Sequence, residues 1–205
     1  MSLEFQRSIN ANQSSFGLDL SDLQISSLSR YFDLVQQHNA VLHLVGPCTP
    51  EEFATRHVLE SLTLLEYLPL GAKLVDVGAG AGLPSIPCLI VREDLRAVLI
   101  ESKEKKAKFL AEAVATLGLK TRANIVNRQF EESDPSSARF VTCRALDKFT
   151  EKLPRIVKWS KGRKLLFFGG PTLRDEMKKL GLSFGEKLLP FSTQRYLFVS
   201  DPGTN

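Results

Sequence analysis

The stretch LVDVGAGAGLP, at residues 74–84, decides the fold of this chain. Its first four residues form an apolar run of strand length that contains one acid, Asp76, and a glycine-rich turn follows. Glycine lets a backbone turn sharply and approach a ligand closely, because no Cβ stands in the way. A strand that leads through such a turn into a helix is typical of cofactor sites in α/β sheets.

The spacing of the glycines separates two classes of cofactor. A dinucleotide-binding loop has the pattern G-x-G-x-x-G, whose third glycine allows close packing of helix and strand. The chain has glycine at Gly78, Gly80 and Gly82. Leu83 stands where the dinucleotide pattern requires glycine. The pattern G-x-G-x-G after an acid is that of S-adenosylmethionine-dependent methyltransferases, so we predict that these glycines bind that cofactor.

Composition excludes several classes of protein. The chain has 205 residues, 43% of them hydrophobic and 24% charged, which indicates one globular α/β domain. Its apolar runs are too short to span a bilayer, and its first residues lack the pattern of a signal peptide, so we expect a cytoplasmic protein. Three dispersed cysteines and three scattered histidines predict no disulfide and no metal site. The net charge of +4 is compatible with a polyanionic partner.

The order of elements predicts the architecture. Residues 1–17 are polar and are expected to form a loose terminus. Capping patterns at Ser21 and Thr49 start two helices, the second of which ends near Pro69. After Lys73, strand-length apolar runs alternate with helical segments. We expect strands at residues 74–77, 97–100, 125–126, 140–142 and 164–168, helices at 83–91, 102–117, 147–159 and 173–180, and a final hairpin at 187–189 and 196–199.

This order predicts a Rossmann-like class I methyltransferase fold. It would be a mostly parallel seven-stranded sheet with helices on both faces, an antiparallel C-terminal hairpin and an N-terminal helical cap. Residues 1–72 would form the cap, and residues 73–205 a single compact cofactor-binding core. Ligands bind at the carboxyl ends of the strands in such sheets, so we look there for the site.

Two further segments would lie near the cofactor. Glu101 ends the second strand, 23 residues after Gly78, where an acid can accept hydrogen bonds from ribose hydroxyls. A strand-end glutamate can also simply begin a solvated helix, but the preceding glycine loop favours ribose binding. Gln129 and Phe130 follow the third strand, in a loop that would pass over the adenine. Phe130 could equally be a core residue, and the sequence leaves this open.

Three motifs carry a family resemblance. R-H-x-x-E-S at residues 56–61, D-V-G-A-G-A-G-L-P-S-I-P at 76–87 and C-R-A at 143–145 occur in this order. They resemble the glucose-inhibited division protein B family, the small-subunit ribosomal RNA methyltransferase G family, over roughly residues 20 to 200. The L-P-x-I-P tail is more specific than the glycines, because few other methyltransferases have two prolines there. The resemblance implies methyl transfer from S-adenosylmethionine to N7 of a guanine in 16S ribosomal RNA, free or in the small subunit. We expect a monomer, although the sequence does not fix the oligomeric state.

The resemblance also implies roles for individual residues. The implied cofactor contacts are Gly78, Leu83, Gln129, Phe130 and Arg144, and Glu101 matches the acid after the second strand. The implied RNA-positioning residues are Arg128, Arg144 and Arg195. The chain departs from the family where Glu60 replaces aspartate, Ser85 replaces glycine, Phe168 replaces lysine, and His43-Leu44-Val45 replaces Asn-Leu-Thr. The missing lysine would remove one contact to phosphate or base.

The implied chemistry requires positioning and no general base. Guanine N7 carries a free lone pair and no proton, so the enzyme has to align the methyl group with N7. Arginine suits this task because its planar fork can bind phosphate or stack on a base. It would contact O6 or phosphate, since a donor aimed at N7 would block the lone pair. We therefore expect His57 to be a packing residue.

Other readings of the sequence stay open. The substrate could be a small molecule or a protein, and the chain could be a non-catalytic RNA-binding module, although the intact glycine loop and Glu101 argue against the latter. Two basic groups are either solvated faces or phosphate tracks; they are Lys103, Lys105, Lys106 and Lys108, and Lys158, Lys161, Arg163 and Lys164.

Overall fold

A computed structural model describes residues 2–135 and 137–200. It contains one seven-stranded sheet of order β3-β2-β1-β4-β5-β7-β6. The strands β1 to β5 are parallel, β7 is antiparallel to β5, and β6 is antiparallel to β7. This confirms the predicted fold. The strands are β1 Lys73–Val77, β2 Arg96–Ile100, β3 Ala123–Val126, β4 Phe140–Arg144, β5 Lys164–Gly169, β6 Phe184–Leu188 and β7 Tyr196–Ser200.

The helices surround this sheet at nearly the predicted positions. Predicted and observed bounds of the elements after Lys73 differ by at most three residues. The α-helices are α1 Leu3–Asn12, α2 Asp22–Leu42, α3 Pro50–Glu52, α4 Glu60–Leu62, α5 Ser85–Val91, α6 Glu104–Thr116, α7 Phe149–Ser160 and α8 Pro171–Lys179. Short 3₁₀ turns occupy Gln13–Phe16, Thr63–Tyr67 and Phe130–Glu132.

The prediction of a loose N-terminus was wrong. Residues 3–12 form helix α1, whose first turn is capped because the Ser2 Oγ accepts a hydrogen bond from the Phe5 amide at 3.3 Å. Phe5 and Ile9 are fully buried, and Phe5 stacks on Phe32 with the ring centroids 5.0 Å apart. One apolar pair at i and i+4 is a weak sequence signal, and tertiary burial holds such a short helix.

The helix that was predicted to start at Thr49 changes from α-helix to π-helix and back along its length. The Thr49 side chain and the Glu52 side chain form a capping box at the start of α3. The chain then forms a π-helix at Phe53–Leu59 before it returns to α-helix in α4. Stretches of π-helix are rare and frequently occur at functional sites. This one carries His57 to the edge of the sheet that holds the glycine loop.

Apolar clusters cover both faces of the sheet. The cluster on one face joins residues of α1 and α2 to residues of β1 and β2, and the other joins α7 and α8 to β1, β4 and β5. We propose that residues 1–72 form a cap that folds together with the sheet, because Leu28 and Phe53 share one buried cluster with Leu74 and Leu99. In residues 2–135 and 137–200, no helix is long and apolar enough to cross a membrane.

Candidate functional site

A cavity of about 730 Å³ lies at the carboxyl ends of β1, β2, β4 and β5. The glycine loop after β1 and the residues that follow β2 form one side of it. Arg144 at the end of β4, Phe168 in β5 and Arg195 before β7 form another, together with His57 and Glu60. The topology explains this meeting, because β7 runs antiparallel to β5 and so begins at the edge where β5 ends.

The backbone of the glycine loop favours glycine at three positions. Gly78, Gly80 and Gly82 all have positive φ angles, of 71°, 53° and 91°. A Cβ on Gly78 would overlap the side chain of Leu146, and one on Gly82 would overlap Ile86. The amides of Gly78 and Ala79 both donate to the Ile100 carbonyl, at 2.9 and 3.0 Å. The loop is therefore fixed to the end of β2.

Glu101, which the sequence predicted to bind ribose, is fixed in place at the end of β2. Its side chain lines the cavity, and one carboxylate oxygen accepts a hydrogen bond from the Gly80 amide at 3.0 Å. The other oxygen accepts from the Lys103 amide at 2.8 Å. An ionised carboxylate has about four acceptor sites, so capacity for two hydroxyl donors remains. The residue that the sequence assigned to ribose thus also connects the two loops.

Asp76 lies in the centre of the sheet, below the glycine loop. It pairs with Leu99 in β2 and Thr142 in β4, and it is fully buried. Among the described residues, neither carboxylate oxygen has a partner with full hydrogen-bond geometry, although Ser85 is close enough to affect its pKa. Burial raises the pKa of Asp76 to about 7, hydrogen bonding from Ser85 opposes this, and the charge of Glu101 adds to it.

Asp76→Asn is expected to change how stability depends on pH. Between the ordinary pKa of 3.8 and the folded pKa of about 7, the folded chain keeps a proton that the unfolded chain releases. The contribution of Asp76 to stability is thus present at low pH and falls as the pH rises to 7. Between pH 5 and pH 8, the free energy of unfolding of the variant should rise by about 2–3 kcal/mol relative to that of the wild type.

Chemical unfolding of both proteins at several pH values measures this difference. His57 titrates in the opposite sense, because burial and then the charges of Arg144, Arg56 and Arg195 lower its pKa to about 4. Its effect is present in both proteins and cancels in the difference. A difference in unfolding free energy that stays constant with pH would show that Asp76 is ionised in the folded protein.

Glu60 holds two arginines at the far side of the cavity. Its side chain is 1% exposed, and one carboxylate oxygen pairs with Arg144 at 3.0 Å. The other oxygen accepts from the Nε and an Nη of Arg195, both at 2.8 Å. Arg144 also donates to the Ser61 hydroxyl at 3.2 Å and to the Arg56 carbonyl. The two guanidinium groups are thereby fixed side by side.

Phe168 supplies an aromatic face to this cluster. It is the register partner of Arg144 on the neighbouring strand, and the Arg144 guanidinium lies 5.1 Å from the centre of its ring. A lysine at this position would place a third cation beside Arg144 and Arg195. Phe168 instead makes a cation–π contact that helps to orient Arg144.

His57 is neutral and packed in this site. It contacts Phe53, with ring centroids 5.3 Å apart, and its Nδ1 is buried without a hydrogen-bond partner among the described residues. Burial and three nearby arginines lower its pKa to about 4. An uncharged imidazole fits the packing role that the sequence suggested.

The structure brings together only part of the predicted site. The predicted residues that line the cavity are Gly78, Gly80, Leu83, Glu101, Arg144 and Arg195, and Gly82 lies within the loop below them. Arg128 and Gln129 are exposed outside its lining, and Phe130 packs edge-on against Trp159 with centroids 5.6 Å apart. The structure thus places Phe130 in the core. RNA positioning by Arg128 and adenine contact by Gln129 stay predictions.

The two predicted basic groups lie in different places. Lys103 and Lys106 line the cavity, and the Lys106 ammonium donates to the His43 carbonyl at 3.1 Å. Lys164 begins β5, at the amino edge of the sheet, so the second group lies at the end opposite to the cavity. Only the first group can contact a substrate that enters the cavity.

The sequence predicted no role for Glu60 in this site and marked it only as a departure from the family aspartate. Its place between His57 and Ser61 in the first motif was the available signal. Because Arg144 lies 84 residues further along the chain and Arg195 135, the ion pairs could not be seen without the fold.

The glycine loop, the acid after β2 and this strand order define a Rossmann-like methyltransferase fold. Solved structures share it. One is the m1A22 tRNA methyltransferase TrmK of B. subtilis, with a TM-score of 0.52 and 19% identity over 70% of this chain and 65% of that one. Another is the pyocyanin biosynthetic protein PhzM, with a TM-score of 0.59 and 14% identity over 75% of this chain and 57% of that one. These likenesses concern the fold alone.

Residues 24–185 match the family model of rRNA small subunit methyltransferase G, and the chain belongs to that family. A relative of this name from Neisseria meningitidis serogroup C, strain 053442, is 32% identical over 77% of this chain and 74% of its own length. Relatives from Frankia casuarinae and Pelotomaculum thermopropionicum are 36% and 43% identical over 60% and 50% of this chain. The match spans about half of their length, 47% and 44%. The resemblance seen in the motifs is confirmed.

Proposed function

We propose that this chain transfers a methyl group from S-adenosylmethionine to N7 of a guanine in 16S ribosomal RNA. The observation that carries the proposal is the single cavity that joins the glycine loop and Glu101 to the arginine pair held by Glu60. One side has the features of a nucleoside site and the other those of a site for an anionic substrate. Family membership supports the pairing of these two halves.

The residues of the first side fit the cofactor. Glu101 keeps acceptor capacity for ribose hydroxyls, and the positive φ angles of the loop let its backbone approach a ligand. Leu83 adds an apolar wall at the start of the proline tail. S-adenosylmethionine, when bound, supplies an electrophilic methyl group on a sulfonium. The residues of the chain would hold that methyl group in place relative to the substrate.

The second side would orient the base. Arg144 has 12% of its side chain exposed, and its donors are shared with Glu60, Ser61 and the Arg56 carbonyl. Arg195 is 36% exposed and can reach phosphate or the guanine O6 with its outer face. Neither is needed as an acid or base, because N7 has no proton to lose. His57, neutral at pH 7, likewise leaves the N7 lone pair free.

A methyltransferase of a small molecule is the second candidate. Phe168 favours it, because the wall beside Arg144 is aromatic where the family resemblance implied a lysine. Planar aromatic substrates would stack on such a wall. We further propose that the protein works in the cytoplasm, because its proposed substrate is ribosomal RNA, and that it works there as a monomer.

Methyl transfer to RNA tests the proposal. The purified protein is incubated with labelled S-adenosylmethionine and with small subunits that lack the modification, or with deproteinised 16S RNA from them. We expect label in at least one of the two RNA forms. Glu101→Ala should weaken cofactor binding about 10- to 100-fold, because it removes hydrogen bonds to a charged group. Glu104→Ala, at the exposed start of α6, is the matched control.

Calorimetry with S-adenosylmethionine separates the two halves of the proposal. Clear cofactor binding without label in either RNA form would contradict the RNA substrate and leave the small-molecule candidate. Equal cofactor affinity of wild type and Glu101→Ala would contradict the assignment of the ribose site.

A further inference from the structure

A second cavity, of about 340 Å³, adjoins the first. Glu60 and Arg195 line both of them, so the two cavities meet at the arginine cluster. The far wall of the second cavity is formed by Phe191, which lies in the connection between β6 and β7. When one group of a substrate enters the first cavity, the neighbouring group can enter the second cavity.

Phe191 is held in an exposed and strained position. Its side chain is 63% exposed, and its φ of +57° lies in the left-handed region that non-glycine residues avoid. Its ring meets Phe16 edge-on, with centroids 5.6 Å apart, which leaves most of the ring in solvent. Non-glycine residues in this conformation cost about 1–2 kcal/mol and cluster at functional sites.

The loop around Phe191 is closed by its own hydrogen bonds. The Leu189 amide donates to the Arg195 carbonyl at 2.9 Å, and the Ser192 amide donates to the Leu189 carbonyl at 3.2 Å. The Ser192 hydroxyl in turn accepts from the amides of Gln194 and Arg195, at 3.2 and 2.8 Å. The aromatic ring is therefore presented by an ordered turn, and little order has to be created when a ligand binds.

Two cations flank the ring in this cavity. The Arg56 side chain is 52% exposed, with one ion pair to Glu52 at 3.5 Å. The Arg195 side chain is 36% exposed, and Glu60 fixes it from below. An aromatic face between cations is the arrangement with which proteins hold single-stranded nucleic acid, the ring stacking on a base and the cations contacting phosphates.

We propose that Phe191 is a stacking platform for an unpaired RNA base that neighbours the target guanine, with Arg56 contacting the adjoining phosphate. This rests on the proposed function, because it takes the target guanine to enter the first cavity. A singly exposed aromatic residue is ordinary on protein surfaces. The strained φ, the closed loop, the flanking cations and the shared wall with the first cavity set Phe191 apart.

Methyl-transfer kinetics with small-subunit RNA test the platform. Phe191→Ala should raise KM for RNA about 5- to 100-fold, the range of losing one stacked base, and leave KM for S-adenosylmethionine unchanged. Phe191→Trp should restore the KM for RNA, because a larger aromatic face stacks at least as well. Leu70→Ala, at an 88% exposed apolar residue outside both cavities, is the matched control and should behave as the wild type.

Fluorescence of the Phe191→Trp protein gives a readout that needs no turnover. The natural chain has one tryptophan, Trp159, which packs against Phe130, so quenching by RNA beyond that of the wild type reports on position 191. We expect such quenching. Its absence, or an unchanged KM for RNA in Phe191→Ala, would overturn the platform. Quenching without any methyl transfer would instead contradict the proposed function and leave the RNA contact standing.

Discussion

Glu60→Ala is expected to lower the free energy of unfolding by about 3–5 kcal/mol and to remove most methyl transfer. The Glu60 carboxylate is 1% exposed and pairs with both Arg144 and Arg195. Without it, two guanidinium groups would face each other at the edge of the core with their charges uncompensated. The cluster can relieve this repulsion only by moving apart, which would also displace the groups proposed to orient the substrate.

Glu60→Asp is the matched control for this prediction. It keeps the charge, and aspartate is the residue that the family resemblance implied at this position. We expect stability close to that of the wild type and a smaller loss of transfer, because a shorter side chain cannot hold both arginines at 2.8–3.0 Å. Denaturant unfolding and transfer assays measure the two effects. Equal stability of Glu60→Ala and wild type would show that the ion pairs contribute nothing to the fold.

Gly82→Ala is expected to destabilise the protein by about 2–5 kcal/mol, since it combines backbone strain with overpacking. The φ of Gly82 is +91°, and an added Cβ would overlap Ile86 in helix α5. Ile86 is fully buried, so it has little room to yield. The loop would have to shift, and we expect affinity for S-adenosylmethionine to fall with it.

Gly118→Ala separates the two contributions. Gly118 has a φ of +71°, and the space beside it is open. This variant should show only the cost of the left-handed conformation, about 1–2 kcal/mol, with cofactor affinity unchanged. If both variants lost the same stability, the overlap of the added Cβ at position 82 with Ile86 would contribute nothing to the loss.

The sequence predicted most of the fold because its local signals agree with the tertiary structure. The capping box at Ser21 and the strand-length runs after Lys73 mark elements that the structure contains. Helix α1 was not predicted, because only Phe5 and Ile9 mark its buried face. Phe5 packs against Phe32 and Phe53, which lie far away in the chain. The π-helix at Phe53–Leu59 has no sequence signal of its own.

The local part of the candidate site was predicted, and so were Arg144 and Arg195, but the ion pairs that join these arginines to Glu60 were missed. Gly78, Gly82 and Glu101 belong to a strand–loop pattern with fixed spacing, so the chain itself shows them. The Glu60 cluster depends on the antiparallel strand β7, which returns Arg195 to the edge where β4 ends. The contact of Phe168 with Arg144 depends on the register of two strands. The antiparallel hairpin was predicted, but neither the side chains that it brings together nor the strand register can be read from residue types alone.

Two aromatic side chains, Phe168 and Phe191, lie beside the arginine cluster. One lies beside Arg144 in the first cavity and the other opposite Arg195 in the second. Phe168 is 5% exposed and contacts the Arg144 guanidinium, whereas Phe191 is 63% exposed. Of the two, Phe191 therefore offers the free face on which a base could stack.

Nucleoside analysis of the labelled RNA tests directly whether the protein methylates N7 of a guanine. Small subunits or 16S RNA that lack the modification are incubated with the protein and labelled S-adenosylmethionine, and the RNA is digested to nucleosides. We expect the label to be recovered as 7-methylguanosine. Label in another nucleoside, or RNA that stays unlabelled while the protein binds the cofactor, would contradict it.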